Sequence, residues 1–347
     1  MFARPSRRPR VLCRALRASL LVGAATAAFT GMASVAAAAA AAAVAPVANS
    51  QLEEVTVQGQ LKGPRLWRIR RGGHVLWLLG TPELLPDRMD WDTSDVEAVL
   101  ATAGTLVLAP RVSAHAGVNP LRLIRLYREW RRARVLPDGG TLQALLEPAL
   151  FARFERQRRQ WLPGDTAVLH ERPMIAVGKI LGAAQRRLHL KTGGFVGATL
   201  EKLARAHRLS IVRPTASLDA SDIDAALAQL GRAPGQREIA CLEAGVTRLE
   251  TDQAATLKRA VAWATGDVAT LRSLSATTVR SACMDVLALI PTVQTVLQSA
   301  DQQWLASVDQ ALAGQPVSFA IRDMNELLAP DGILERFRAR GDEVDGP

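Results

Sequence analysis

Two apolar runs near residue 70 set the first element of the fold. Leu66-Trp67-Arg68-Ile69-Arg70 and His74-Val75-Leu76-Trp77-Leu78-Leu79 flank Arg71-Gly72-Gly73. A glycine turn between such runs predicts a β-hairpin whose second strand runs into Gly80. The apolar spacing then shifts to helical period over residues 95–103, with Thr93 or Ser94 as the cap. Thr105-Leu106-Val107-Leu108 follows as a buried strand stopped by Pro110. Strand, helix, strand is the unit of an α/β sheet.

Helical period dominates the middle of the chain, over 120–135, 141–161, 174–188 and 196–207, with Leu209-Ser210-Ile211-Val212 as a strand. Asp219 or Ser221 can cap a helix over 223–230. One long helix over 237–265 is expected to end at Gly266, where Asp267 caps a short successor. Residues 281–312 read as mostly helical. Val317-Ser318-Phe319-Ala320-Ile321 is the last strand, and Asp331-Gly332 opens a final helix over 333–340. The expected class is therefore α/β: a central, mostly parallel sheet with an N-terminal β-hairpin and a large helical insertion at about 115–310. Residues 64–347 form one domain, and 49–63 are a linker or edge strand.

Composition narrows the function. The 347 residues are 48% hydrophobic and 22% charged, a globular balance. The formal charge of +10 suggests nucleic acid only until it is located. Residues 1–48 hold six arginines (Arg4, Arg7, Arg8, Arg10, Arg14, Arg17) and no acid, so 37 basic and 33 acidic residues remain beyond them. That weak excess removes the electrostatic case for nucleic acid.

The same segment has the form of an export signal: an arginine-rich start, an uncharged run from Ala18 to Ala48, and small residues at its end. Cleavage within 36–48 would make the protein periplasmic or secreted. The run is also long enough to span a bilayer, so an uncleaved inner-membrane anchor is the alternative. Cys13 lies in the charged start, which argues against a lipoprotein. An oxidising compartment would let Cys241 and Cys283 pair, with two buried thiols as the alternative.

Familiar catalytic motifs are missing: the sequence has no Gly-x-Ser-x-Gly, His-Glu-x-x-His, P-loop or dinucleotide fingerprint. Gly193-Gly194-Phe195-Val196-Gly197 lacks the lysine and preceding strand of a phosphate loop, and reads as a flexible start to a helix. The histidines at 74, 115, 170, 189 and 207 have no metal-ligand spacing. Arg122, Arg125, Arg128, Arg131, Arg132 and Arg134 accompany Leu123, Leu126, Tyr127 and Trp130 on one basic amphipathic helix. A solvated face with alkyl stems on the core is the expected reading. Contact with a membrane or an acidic polysaccharide is the other.

Two segments carry a family resemblance. Residues 66–85 include Leu-Leu-Gly-Thr-Pro-Glu, and residues 317–344 include Leu-Leu-Ala-Pro-Asp-Gly-Ile-Leu-Glu-Arg-Phe-Arg-Ala-Arg-Gly. Between them, Cys241-Leu242-Glu243 leads to Trp263-Ala264-Thr265-Gly266-Asp267. Together these resemble the TraB/GumN family, related to the Tiki metalloproteases and to ChaN-like and erythromycin-esterase-like proteins. The resemblance implies a site of two Gly-x-x-His motifs, a strand-ending glutamate and an Arg-Asn pair, which together could hold a divalent metal that activates water.

Carried onto this chain, the first motif becomes Gly80-Thr81-Pro82-Glu83 and the strand-ending acid becomes Ala109. The Arg-Asn pair falls at Ala300-Asp301, and the second histidine at Glu326. None of the family's key residues is retained. The resemblance then implies a non-catalytic binding or accessory protein of the cell envelope, acting on another envelope protein or a polysaccharide and needing no cofactor. The alternative is a hydrolase of peptidase or esterase type, in which Glu83 and Glu326, with Asp323 or Asp301, hold Mn²⁺, Mg²⁺ or Ca²⁺.

Overall fold

The computed structural model describes residues 63–114, 119–230, 235–251, 253–274 and 279–347, so the expected export segment, nearly all of the linker and His115 lie outside the described residues. The hairpin forms where the two apolar runs meet. β1 (Leu66–Arg71) and β2 (His74–Thr81) pair antiparallel, with Arg71 opposite His74 across the glycine turn.

β3 (Leu84–Pro86), α1 (Ser94–Leu100), β4 (Thr105–Val107), β5 (Arg111–Ala114) and α2 (Pro120–Ala133) follow. Next come α3 (Leu142–Leu145), α4 (Pro148–Trp161), α5 (Pro173–Arg187), β6 (Leu190–Thr192), α6 (Gly194–Ala206), β7 (Ser210–Val212), β8 (Thr215–Leu218) and α7 (Ala220–Leu230). The chain continues through α8 (Gln236–Thr251), α9 (Gln253–Ala264), α10 (Val268–Leu274), α11 (Val279–Leu287) and α12 (Pro291–Gly314). It closes with β9 (Val317–Asp323), α13 (Met324–Leu328), α14 (Ile333–Ala339) and β10 (Glu343–Asp345).

The main sheet has the order β10-β1-β2-β9-β4-β7. β2, β9, β4 and β7 run parallel, and β1 and β10 add antiparallel pairs at one edge, which is the expected mostly parallel α/β sheet with its hairpin. Five successive β9 residues, from Ser318 to Arg322, are buried, as in a parallel strand covered on both faces. The short strand β10 and the small pairs β3–β6 and β5–β8 are additions that pattern reading did not supply. At three or four residues each, and without the apolar run that marked β4 and β7, they carry too little pattern to be seen.

Two large apolar clusters take most of the helices, beside a small third one of Ala216, Val296 and Ala300. The sheet core gathers Leu76, Leu78, Phe319, Trp67, Trp263 and Trp304, with α1, α6, α9, α10, α12 and α14. A second cluster, with Leu142, Phe154, Val177, Ile180, Leu242 and Val246, joins α3, α4, α5 and α8. Cys241 of α8 and Cys283 of α11 are joined by a disulfide at the edge of that cluster.

Two of the expected helical stretches are cut before a proline, and a third serves both clusters. The expected long helix over 237–265 is helical on both sides of residue 252, which lies outside the described residues: α8 buries Cys241, Leu242 and Val246 in the second cluster, and α9 buries Ala260, Trp263 and Ala264 in the sheet core. The stretch over 141–161 breaks at Leu146 and Glu147, both extended, because Pro148 disfavours helical geometry in the residue before it. The stretch over 281–312 breaks at Ile290, which is extended before Pro291.

Candidate functional site

Parallel strands deliver their C-terminal ends to one side of the sheet, where side chains from different strands can meet. In the register of β2 with β9, Gly80 lies opposite Arg322 and Thr81 opposite Asp323. β4 ends beside β9 and leads into Leu108, Ala109 and Pro110. A Cβ added at Gly80 would lie 2.7 Å from Met324 Sδ, so the end of that side chain would have to shift. The Gly80 carbonyl accepts a 2.7 Å hydrogen bond from the buried indole of Trp263. The Trp263–Asp267 turn is thereby tied to the end of the first motif strand.

These ends surround a cleft of about 280 Å³. Glu83, Ala109 and Glu326 all line it, together with Thr81, Arg322 and Asp323. Three positions assigned by resemblance therefore converge. Asp301 stands behind the cleft, bound by Arg322 and by Arg336 Nη1 at 2.6 Å. None of the four described histidines lines the cleft. His74 Nδ1 lies 2.7 Å from the Gln315 carbonyl and His170 Nδ1 3.2 Å from that of Gly140.

Each carboxylate at the former histidine positions has a guanidinium against it. Arg248 Nη1 donates to both oxygens of Glu83 at 3.2 and 3.1 Å. Glu326 is ion-paired with Arg322, four residues before it at the end of β9. Arg322 is 7% exposed, and its guanidinium carbon lies 4.8 Å over the Trp304 ring. Asp323 accepts the Asn325 N–H at 2.9 Å and caps α13. Ala109 packs on the sheet core and offers no ligand atom.

Among the described residues no group of three or more His, Cys, Asp or Glu side chains is gathered for an ion. Glu83 and Glu326 would have to exchange Arg248 and Arg322 for the cation. This donor set does not fit a divalent metal.

Sequence reasoning located the carboxylates and missed their partners. Arg322 had a local signal, as the charged residue ending the last apolar strand. Arg248 had none, since it reaches Glu83 from 165 residues away. The glycine pair before α6 also proves to be part of the cleft wall. Gly193 donates its N–H to the Glu83 carbonyl at 3.1 Å, and a Cβ there would meet the Pro82 carbonyl oxygen at 2.3 Å.

A sequence model of the TraB/PrgY/gumN family matches residues 65–345. No curated protein and no solved structure matches the chain.

Proposed function

The chain belongs to the TraB/PrgY/gumN family, and from that premise we propose that it is an exported envelope protein whose cleft binds a ligand or partner without catalysing a reaction. One observation carries this reading: Glu83 and Glu326, standing where resemblance implies histidines, are both held by guanidinium groups. A cation, or a water molecule's proton, would have to compete with a guanidinium for each of these carboxylates. Ala109, in the place of the remaining acid, adds only a methyl group. The arginine-rich start and alanine-rich run of residues 1–48 support export, with the inner-membrane anchor as its variant.

The cleft is near the small end of ligand pockets, which hold roughly 300 Å³ or more, and suits a short polar segment of a polysaccharide or protein. Metal analysis of the purified protein before and after chelation should find no stoichiometric ion. Thermal melts with Mn²⁺ should show no shift that Glu83→Ala with Glu326→Ala removes. Peptidase or esterase turnover abolished by that same double change would overturn the proposal in favour of the metal-dependent hydrolase.

A further inference from the structure

α2 begins cleanly: Asn119 accepts the Leu121 N–H at 3.0 Å, and Pro120 occupies the first turn. Of its fourteen residues, only Leu126 and Ala133 are buried. Its larger apolar side chains, Leu126 excepted, are turned to solvent. Leu121 is 76% exposed, Tyr127 58%, Ile124 57%, Leu123 47% and Trp130 39%. At about 100° per residue, Leu123, Ile124, Tyr127 and Trp130 share a stripe about 120° wide on the outward face. Tyr127 and Trp130 stack along it with ring centroids 6.3 Å apart.

The cations on this helix are sorted by side. Arg122 and Arg125 turn toward α7 and share Asp224 at 3.1 and 3.3 Å. Arg128, Arg131 and Arg132 are exposed and have no ion-pair partner among the described residues. By the same helical spacing, Arg131 lies within the apolar stripe, and Arg128 and Arg132 flank Leu121 about 40° and about 80° beyond its edge.

We propose that α2 docks the protein onto an anionic lipid surface, with Leu121, Leu123, Ile124, Tyr127 and Trp130 entering the headgroup boundary and Arg128, Arg131 and Arg132 meeting lipid phosphates. The charge pattern asks for an anionic partner. An acidic polysaccharide would satisfy the arginines and leave three aliphatic side chains in water, whereas a bilayer interface takes both kinds of group at once. Aromatic side chains with a polar edge are suited to that depth. The helix is about 21 Å long and needs no groove in its partner.

The test is co-sedimentation of the full chain with vesicles of phosphatidylcholine alone or with a third phosphatidylglycerol, at low and high salt. The N-terminal segment is common to every variant, so differences between variants report on α2. Binding to the phosphatidylglycerol vesicles is expected to weaken with salt. The triple change Arg128→Gln, Arg131→Gln, Arg132→Gln should lower it about a hundredfold, the conversion of about 1 kcal/mol per arginine near an anionic surface.

Leu121→Ser with Ile124→Ser and Tyr127→Ser should also abolish most binding with all charges kept. Arg156→Gln with Arg159→Gln and Arg186→Gln, an equal charge change on other faces, should leave it within about twofold. Circular dichroism melts establish that each variant folds. Equal binding by wild type and both α2 variants overturns the proposal. So does depletion by soluble polygalacturonate that the serine variant retains, or a dimer in gel filtration that only the α2 variants lose while vesicles bind nothing.

Discussion

Arg172 and Glu238 are paired inside the protein, with side chains 3% and 6% exposed. Removing one partner of such a pair strands the other charge away from water, which costs more than the pair contributes net. Arg172→Ala should therefore lower unfolding free energy by about 3–5 kcal/mol in urea titrations. Arg68→Ala breaks a half-exposed pair with Asp345 and should cost less than about 1 kcal/mol. Similar losses at both sites would refute this weighting by burial. The cleft follows the same logic: what matters at Glu83 and Glu326 is which cation stands opposite. Motif spacing located both carboxylates, because they follow their strands directly. It could not locate Arg248, which belongs to a distant helix.

At the scale of elements, the disulfide from Cys241 to Cys283 closes 42 residues between α8 and α11. A closed loop of that length restricts the unfolded chain, and reduction should cost about 2–4 kcal/mol. Guanidinium titrations with and without reductant measure the difference; coincident midpoints would show that the cross-link contributes nothing. Strand, turn and cap signals were legible because each is set by a few adjacent residues: the Gly72-Gly73 hairpin, Asp267 accepting the Thr270 N–H at 2.9 Å, and Asp219 accepting the Asp222 N–H at 3.0 Å. Helix lengths were less legible. Residues 141–161 and 281–312 keep a helical period, yet each is cut before a proline.

Over the whole molecule, carboxylates paired with arginines give stability a pH dependence of definite sign. Arg158 and Arg159 hold Glu155 below its ordinary 4.5, and Arg213 does the same for Glu201, against the opposing effect of burial. A carboxylate depressed in the folded state contributes stability that is present above 4.5 and is lost as pH falls through that value toward the folded one. Melting temperature should thus be level near neutral pH and drop below about 4.5. Glu155→Gln with Glu201→Gln should lower the neutral plateau and flatten the acid limb; an unchanged acid limb would contradict it.

The linear chain by itself determined the α/β class, the hairpin, the family and the lack of a ligand atom at Ala109. All of these follow from local period, turn chemistry or residue identity. Only the tertiary structure decided that Arg248 and Arg322 cover the two glutamates, that two large clusters take most of the helices, and that the apolar stripe of α2 faces water. Periodicity says that a helix has an apolar face. Which neighbour covers that face depends on contacts made across hundreds of residues, and no adjacent residue carries them.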